Sequence, residues 1–277
     1  IHDARSARLI EGRVITAPEL ALEADRTQLK ISGAGRIGQV PFEGGFTLPL
    51  VRASKGRAQA EGRIELSQRF ADEFGIDLPP GSIAGATRAP VRLDFAPDAP
   101  PLFELSSDLA GLALRLAPLG WRLAEGETGR LEVAGALGKP PAIDRLSLDA
   151  GGLRAQGAVT LGPGGQLQRA TFARVRLGTW LDAPVELVGR GSGVQPLVRV
   201  TGGMIDLRHI ALTATGNGGE TGGDNDSGTG SAPAQKARER PLEIRLERLQ
   251  IADRIALTAF TGDFDMAGPE GTFTGRV

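Results

Sequence analysis

Leu131–Leu161 reads LEVAGALGKPPAIDRLSLDAGGLRAQGAVTL, the centre of a longer stretch, Phe103–Leu212, in which one extended segment follows another between Gly and Pro pairs. Apolar residues recur at every second position: Leu131/Val133, Leu146/Leu148, Leu153/Ala155/Gly157/Val159/Leu161, Val175/Leu177, Val185/Leu187 and Leu207. That period puts each set on one face of a sheet. The alternate positions carry Glu132, Ser147, Arg154, Gln156, Thr160, Arg176 and Glu186, a wet face. About eight antiparallel strands with one apolar and one solvated face are the feature to explain.

The same alternation appears at Val14/Ile15, Leu20/Leu22, Leu29/Ile31, Phe46/Leu48/Leu50, Ala58–Leu66 and Val91/Leu93/Phe95. It returns after Pro241 as Leu242/Ile244/Leu246, Leu249/Ile251, Ile255/Leu257, Phe264/Met266 and Phe273. Leu112/Leu114/Leu116 form a strand that runs into Pro118-Leu119-Gly120-Trp121, a tight turn with a bulky anchor. One helix is predicted over 67–74. Ser67 is its N-cap, Phe70 and Phe74 share a face that can plug an apolar patch, and Gly75 with Pro79-Pro80-Gly81 ends it. Residues 216–240 lose every apolar period and read as a disordered low-complexity loop inserted between strands. The expected fold is therefore all-β: one elongated, curled antiparallel sheet over residues 1–277, a repeating β-groove with one short helix and a flexible insertion loop. Weak internal repetition agrees with it.

Composition narrows the function. A net charge of -1 lacks the basic surplus of a nucleic-acid binder. There is no cysteine, hence neither a disulfide nor thiolate chemistry. Aromatic residues are 4% and glycine numbers 40, so stability has to come from many small aliphatic contacts. No run approaches the roughly 18 apolar residues of a spanning helix. The chain starts at Ile1 and stops in mid-pattern at Val277, as a piece of a longer protein would, with any anchor lying outside it.

Each chemical motif has a plainer reading. Gly33-Ala-Gly35-Arg-Ile-Gly38 matches G-x-G-x-x-G, but Pro41 and the Gly44-Gly45 pair follow where a helix has to start. Gly222–Gly228 holds Asp224 and Asp226 in a Gly-rich loop without a closing Glu, which fits a solvated loop better than calcium. His2 and His209 are the two histidines, and neither neighbours a second ligand, so no metal site is expected. Asp144, Asp149, Asp206, Asp263 and Asp265 could supply a carboxylate pair, yet each sits at a turn or alternates with apolar residues, as a solvated face does. Trp121 and Trp180 could form a sugar platform or, as strand-end tryptophans usually do, packing anchors. No nucleophile, base or cofactor loop is identified; neither catalysis nor a cofactor is expected.

Four further runs carry a resemblance: Leu105–Trp121, Gly151–Gly157, Phe172–Trp180 and Gly202–Arg208, along with the helix-and-proline element Phe74–Gly81. Their order resembles the YhdP-type branch of the AsmA-like proteins over about residues 58 to 208. None of these motifs is chemically specific. The resemblance implies a large bacterial envelope protein, anchored at the inner membrane and extending through the periplasm toward the outer membrane. It is similar to bridge-like lipid transfer proteins, whose curled sheet encloses an apolar groove for phospholipid acyl chains, and it brings no catalytic residue.

The pattern of residues meets that expectation at one point. A sheet with a continuous apolar face and one short helix either packs that face on a second sheet or offers it to a ligand. Burying an acyl chain gains about 0.8 kcal/mol per CH₂. The first reading is thus a lipid-conduit segment lined by Leu112, Leu114, Leu116, Leu131, Val133, Leu146, Leu148, Leu153, Val159, Leu161, Val175, Leu177, Val185, Leu187 and Leu207. The rivals are an envelope scaffold whose apolar face is packed, and a β-solenoid acting on polysaccharide.

Overall fold

The computed structural model describes residues 1–7, 13–76, 78, 81–116, 119–162, 165–191, 193–208, 241–267 and 270–276. Alternating sequence became strand almost throughout: the described elements are strands apart from one α-helix and the 3-10 turn Arg52–Ser54. The chain is all-β and predominantly antiparallel. It divides into two compact units, Ile1–Ala170 and Thr171–Val277.

The first unit is a meander. β1 (His2–Ser6), β2 (Ile15–Ala24), β3 (Gln28–Ile37), β4 (Val40–Pro49), β5 (Ala58–Ser67), β6 (Ile83–Phe95) and β7 (Leu102–Ser107) each pair antiparallel with the next. Two connections are long. Between β5 and β6 the chain forms helix α1 (Gln68–Phe74), which Gly75 ends with φ 66°. After β7 it leaves as a hairpin, β8 (Leu112–Leu116) and β9 (Trp121–Leu123), that pairs with the first residues of β6. The meander resumes with β10 (Gly129–Ala136) directly beside β7, then β11 (Ala142–Ala150) and β12 (Leu153–Leu161). Ser67 stands at the N-cap with extended backbone, but its hydroxyl donates to Glu65 Oε1 at 2.8 Å and not toward the helix.

Register decides which residues share a face. Leu22, Ile31, Phe46, Ala60, Leu93, Phe103, Gly135, Ile143 and Val159 stand opposite one another across nine consecutive strands of the sheet. Two residues along, the row is Leu20, Gly33, Gly44, Gly62, Val91, Leu105, Val133, Leu146 and Gly157. Every position in both rows is apolar or Gly. A bulge keeps the first row intact: Ala134 faces Arg145 and Gly135 faces Ile143, so Asp144 is the extra residue. Without it, strict alternation from Leu146 would bring Asp144 onto the apolar face.

β13 (Leu167–Leu177) crosses the boundary between the units. In the second unit, β14 (Leu181–Val188) pairs antiparallel with β15 (Leu197–Val200) and then with β16 (Met204–Asp206). β17 (Pro241–Ala252) runs parallel to both, and β18 (Ile255–Ala267) and β19 (Glu270–Arg276) complete a meander. This parallel pairing departs from the uniformly antiparallel expectation. A parallel neighbour requires a long crossover, and the chain between Asp206 and Pro241 supplies the length. The predicted loop at 216–240, the Gly222–Gly228 motif and His209 lie outside the described residues.

Candidate functional site: the apolar face of the first sheet

The apolar face of the first unit has a covered half and an open half. The covered half lies where the strands run into α1 and the β8–β9 hairpin. Ile37, Val40 and Ile64 form a buried cluster under Phe70 and Phe74 of the helix, whose rings lie 4.6 Å apart. The helix is fastened there from outside. Glu73 accepts from the Arg13 guanidinium at 2.7 Å and from the Gln39 amide at 3.1 Å, and Arg13 stacks over the Phe74 ring at 5.0 Å. The hairpin is fastened by Trp121, buried, whose indole N–H donates to the carbonyls of Ala150 and Gly151 at 3.2 and 3.1 Å. This is the packing-anchor role. Leu109, Leu112, Leu123, Ala150 and Leu153 are buried as well.

The open half is the remainder of the face. Ile31, Phe46, Leu93, Phe103, Ile143 and Val159 are only half-buried, Leu22 is 50% exposed, and Phe95 stacks edge-on against Phe46 at 5.7 Å without becoming buried. At the crossing of β4 and β5 the facing residues are Gly44 and Gly62. A methyl group on either would strike the other strand's backbone, at the carbonyls of Glu61 and Glu43 respectively. The two strands thus close up on their apolar side more tightly than any residue with a side chain permits.

The opposite face is a field of matched charge. Arg88 meets Glu43 at 3.5 Å, Arg92 meets Glu61 at 3.6 Å and Asp94 at 3.2 Å, Arg145 meets Glu104 at 3.8 Å, and Arg154 meets Asp149 at 3.0 Å. Exposed pairs of this kind contribute roughly 0 to 1 kcal/mol each, so the ladder keeps this face wet more than it stabilises the sheet. Glu132, Ser147 and Gln156 face one another on this side, as alternation predicts. Described residues also form open depressions. One of about 540 Å³ includes Glu61, Arg92, Glu104, Glu132 and Arg145, and is lined in part by Gly62, Val91, Leu105 and Val133 of the second apolar row. One of about 800 Å³ lies by the hairpin at Arg115, Arg122 and Glu127.

The predicted lining residues fall into three groups. Leu131, Val133, Leu146, Leu148, Val159 and Leu161 lie on β10 to β12, half-buried, and the register puts Leu131, Val133, Leu146, Leu148 and Val159 on the apolar face. Leu153 shares that face but is 2% exposed and belongs to the covered half. Leu112, Leu114 and Leu116 belong to the separate hairpin, where Leu114 lies between Ile83 and Leu123 and Leu116 faces Trp121; β7 passes them by to pair with β10. In the second unit Val175 and Leu177 are buried, whereas Val185 and Leu187 are half-buried opposite Val200 and Val198. Leu207 sits in the turn after β16 and not in a strand. The strands before β7 supply Leu22, Ile31, Phe46, Leu93 and Phe103 to the open rows. Their alternation was visible in the sequence, but their continuity with Val159 required the register.

The chemical motifs resolve into structure. Gly33–Ile37 is ladder within β3 and Gly38 is the following turn, so these backbone amides are committed to strand pairing. Asp149 pairs with Arg154 on the outer face, and Asp144 is the exposed bulge residue. Asp206, buried, takes two bonds from the Arg208 guanidinium, at 2.9 and 2.6 Å. Asp263 lies exposed in β18, with Asp265 two residues on in the same strand. Among the described residues no group of His, Asp and Glu could hold a metal ion. In the second unit Asp182 is gripped by Arg174 at 2.7 and 2.6 Å, which holds its carboxyl below the usual carboxylate range. Arg199 likewise lowers Glu243, at 2.6 Å. Compared with protein-family models, curated proteins and solved structures, the chain matches none.

Proposed function

We propose that this chain is a segment of a lipid conduit, carrying phospholipid acyl chains along the open half of the apolar face, as the AsmA-like resemblance implies. The observation that carries the reading is the row from Leu22 to Val159: nine strands, every position apolar or Gly, with its large side chains left half-buried or exposed. Nine strands at about 4.8 Å spacing give a path of roughly 38 Å, longer than the ~30 Å hydrocarbon thickness of a bilayer. A face of that extent is costly in water and gains about 0.8 kcal/mol for each CH₂ it shelters. Charge confined to the opposite face leaves the apolar path free of groups that hydrocarbon cannot solvate. Such a segment works by burial and requires no reacting group, in keeping with a non-enzymatic role. In this reading it acts in the periplasm, as part of a protein held at the inner membrane and serving outer-membrane biogenesis.

A photo-crosslinking side chain at Phe103, on the open row, should capture phospholipid in a bacterial envelope, and one at Glu104, on the charged face, should not. The same contrast is expected between Val159 and Thr160. Equal capture on both faces, or none from a folded protein, would remove the conduit and leave the scaffold.

A further inference from the structure

The rim of the open half carries a feature that the apolar rows do not explain. Between β4 and β5 runs Leu50-Val-Arg-Ala-Ser-Lys-Gly-Arg57. Leu50 is 51% exposed and Val51 46%. Arg52, Lys55 and Arg57 are exposed and make no ion pair among the described residues, and the same holds for Arg26 in the adjoining β2–β3 turn, which is tied to this loop by the Leu50 amide donating to the Thr27 carbonyl at 2.7 Å. Arg88, Arg92, Arg145 and Arg154, on the charged face of the same sheet, all stand against carboxylates. Two acids lie near the loop: Asp25, engaged by Thr27 and the Gln28 amide, and Asp98.

The loop is held in shape. The Ser54 hydroxyl donates to the carbonyls of Pro49 and Val51 at 3.0 and 2.7 Å, and the Lys55 amide donates to the Arg52 carbonyl at 3.2 Å. Lys55 takes a left-handed backbone, φ 49°, uncommon for a residue with a side chain, and Gly56 follows at φ 74°. The rim thus presents two exposed aliphatics amid four cations that pair with no acid among the described residues, three on an ordered turn and one on the turn beside it.

We propose that this rim docks on the surface of an anionic phospholipid membrane. Cations near an anionic leaflet each raise partitioning about fivefold, and adjacent aliphatics enter the headgroup boundary. The attraction decays over a Debye length of about 8 Å, so a contiguous cluster is what counts. A second copy of the chain is a poorer occupant, since like rims would bring cation against cation. This docking is independent of whether the apolar rows carry lipid.

The test is sedimentation of the full chain with vesicles of phosphatidylcholine alone and of phosphatidylcholine with phosphatidylglycerol. The chain should bind the second and not the first, and added salt should weaken binding. The triple variant R52Q/K55Q/R57Q, checked for an unchanged melting temperature, should bind about a hundredfold more weakly, while R63Q, on the charged face, should bind as the parent does. L50S/V51S should lose binding severalfold while retaining the salt dependence. Equal binding to both vesicles, no binding to either, or full binding by the triple variant overturns the proposal; a rim made for an acidic protein would give the second of these. Lipid capture at Phe103 is read separately, so either reading can fail alone.

Discussion

Ile64 and Leu93 are large aliphatics on adjacent strands, on the same face of the same sheet, yet Ile64 is 6% exposed and Leu93 is half-buried. The difference lies in the connections. At the end of β5 the chain turns into α1, and after β7 into the β8–β9 hairpin, and both fold back over that side of the face. At the other end, tight links such as Leu50–Arg57 do not reach across it. One apolar face therefore serves as core where it is covered and as exposed surface where it is not. In the conduit reading, the covered half holds the sheet together so that the open half can remain unfilled.

A buried charge separates the two halves most directly. Leu153→Asp in the covered half should destabilise by about 3 to 5 kcal/mol and abolish cooperative unfolding, because it buries a carboxylate without a partner. Val159→Asp or Leu93→Asp in the open half should cost about 1 kcal/mol by urea denaturation, its carboxylate reaching water, and should block lipid capture; Thr160→Asp should do neither. If Leu93→Asp unfolds the chain as Leu153→Asp does, the open half is a packed core.

Smaller changes sharpen the boundary. Trp121→Phe keeps the apolar ring but removes the indole donor to Ala150 and Gly151, and should cost about 1 to 2 kcal/mol through the two carbonyls left unpaired. Glu73→Gln should loosen α1 by about 1 kcal/mol, seen as faster amide exchange in Gln68–Phe74 with the open strands unaffected.

The least effect is expected on the wet side. Asp182 has a folded pKa depressed by Arg174, so its contribution to stability is complete above the ordinary carboxylate range and is lost as pH falls through the depressed value. Asp182→Asn should lower the melting temperature slightly at neutral pH and flatten the acid side of its pH profile below about pH 4. At low pH, variant and parent should converge.

How much of this could be read in advance depends on the range of the interaction. Helix α1 was legible with its termini, since Phe70, Phe74 and Gly75 act within a few residues, although the Ser67 hydroxyl turned to Glu65. Leu112, Leu114 and Leu116 carry the same alternation as Leu131 and Val133, and no local signal says that their hairpin steps out of the meander. The parallel β17 was equally hidden, because strand direction depends on where the chain re-enters the sheet.

Sequence alone determined which residues within one unbulged strand share a face, because side chains alternate along an extended chain whatever its neighbours. It likewise placed charge on one side and aliphatics on the other. Tertiary structure decided the rest. Register joined Leu22 to Val159, the Asp144 bulge kept a carboxylate off that row, and the connections covered one half of the face and left the other open. These are contacts between residues tens of positions apart, and burial depends on what arrives from elsewhere in the chain.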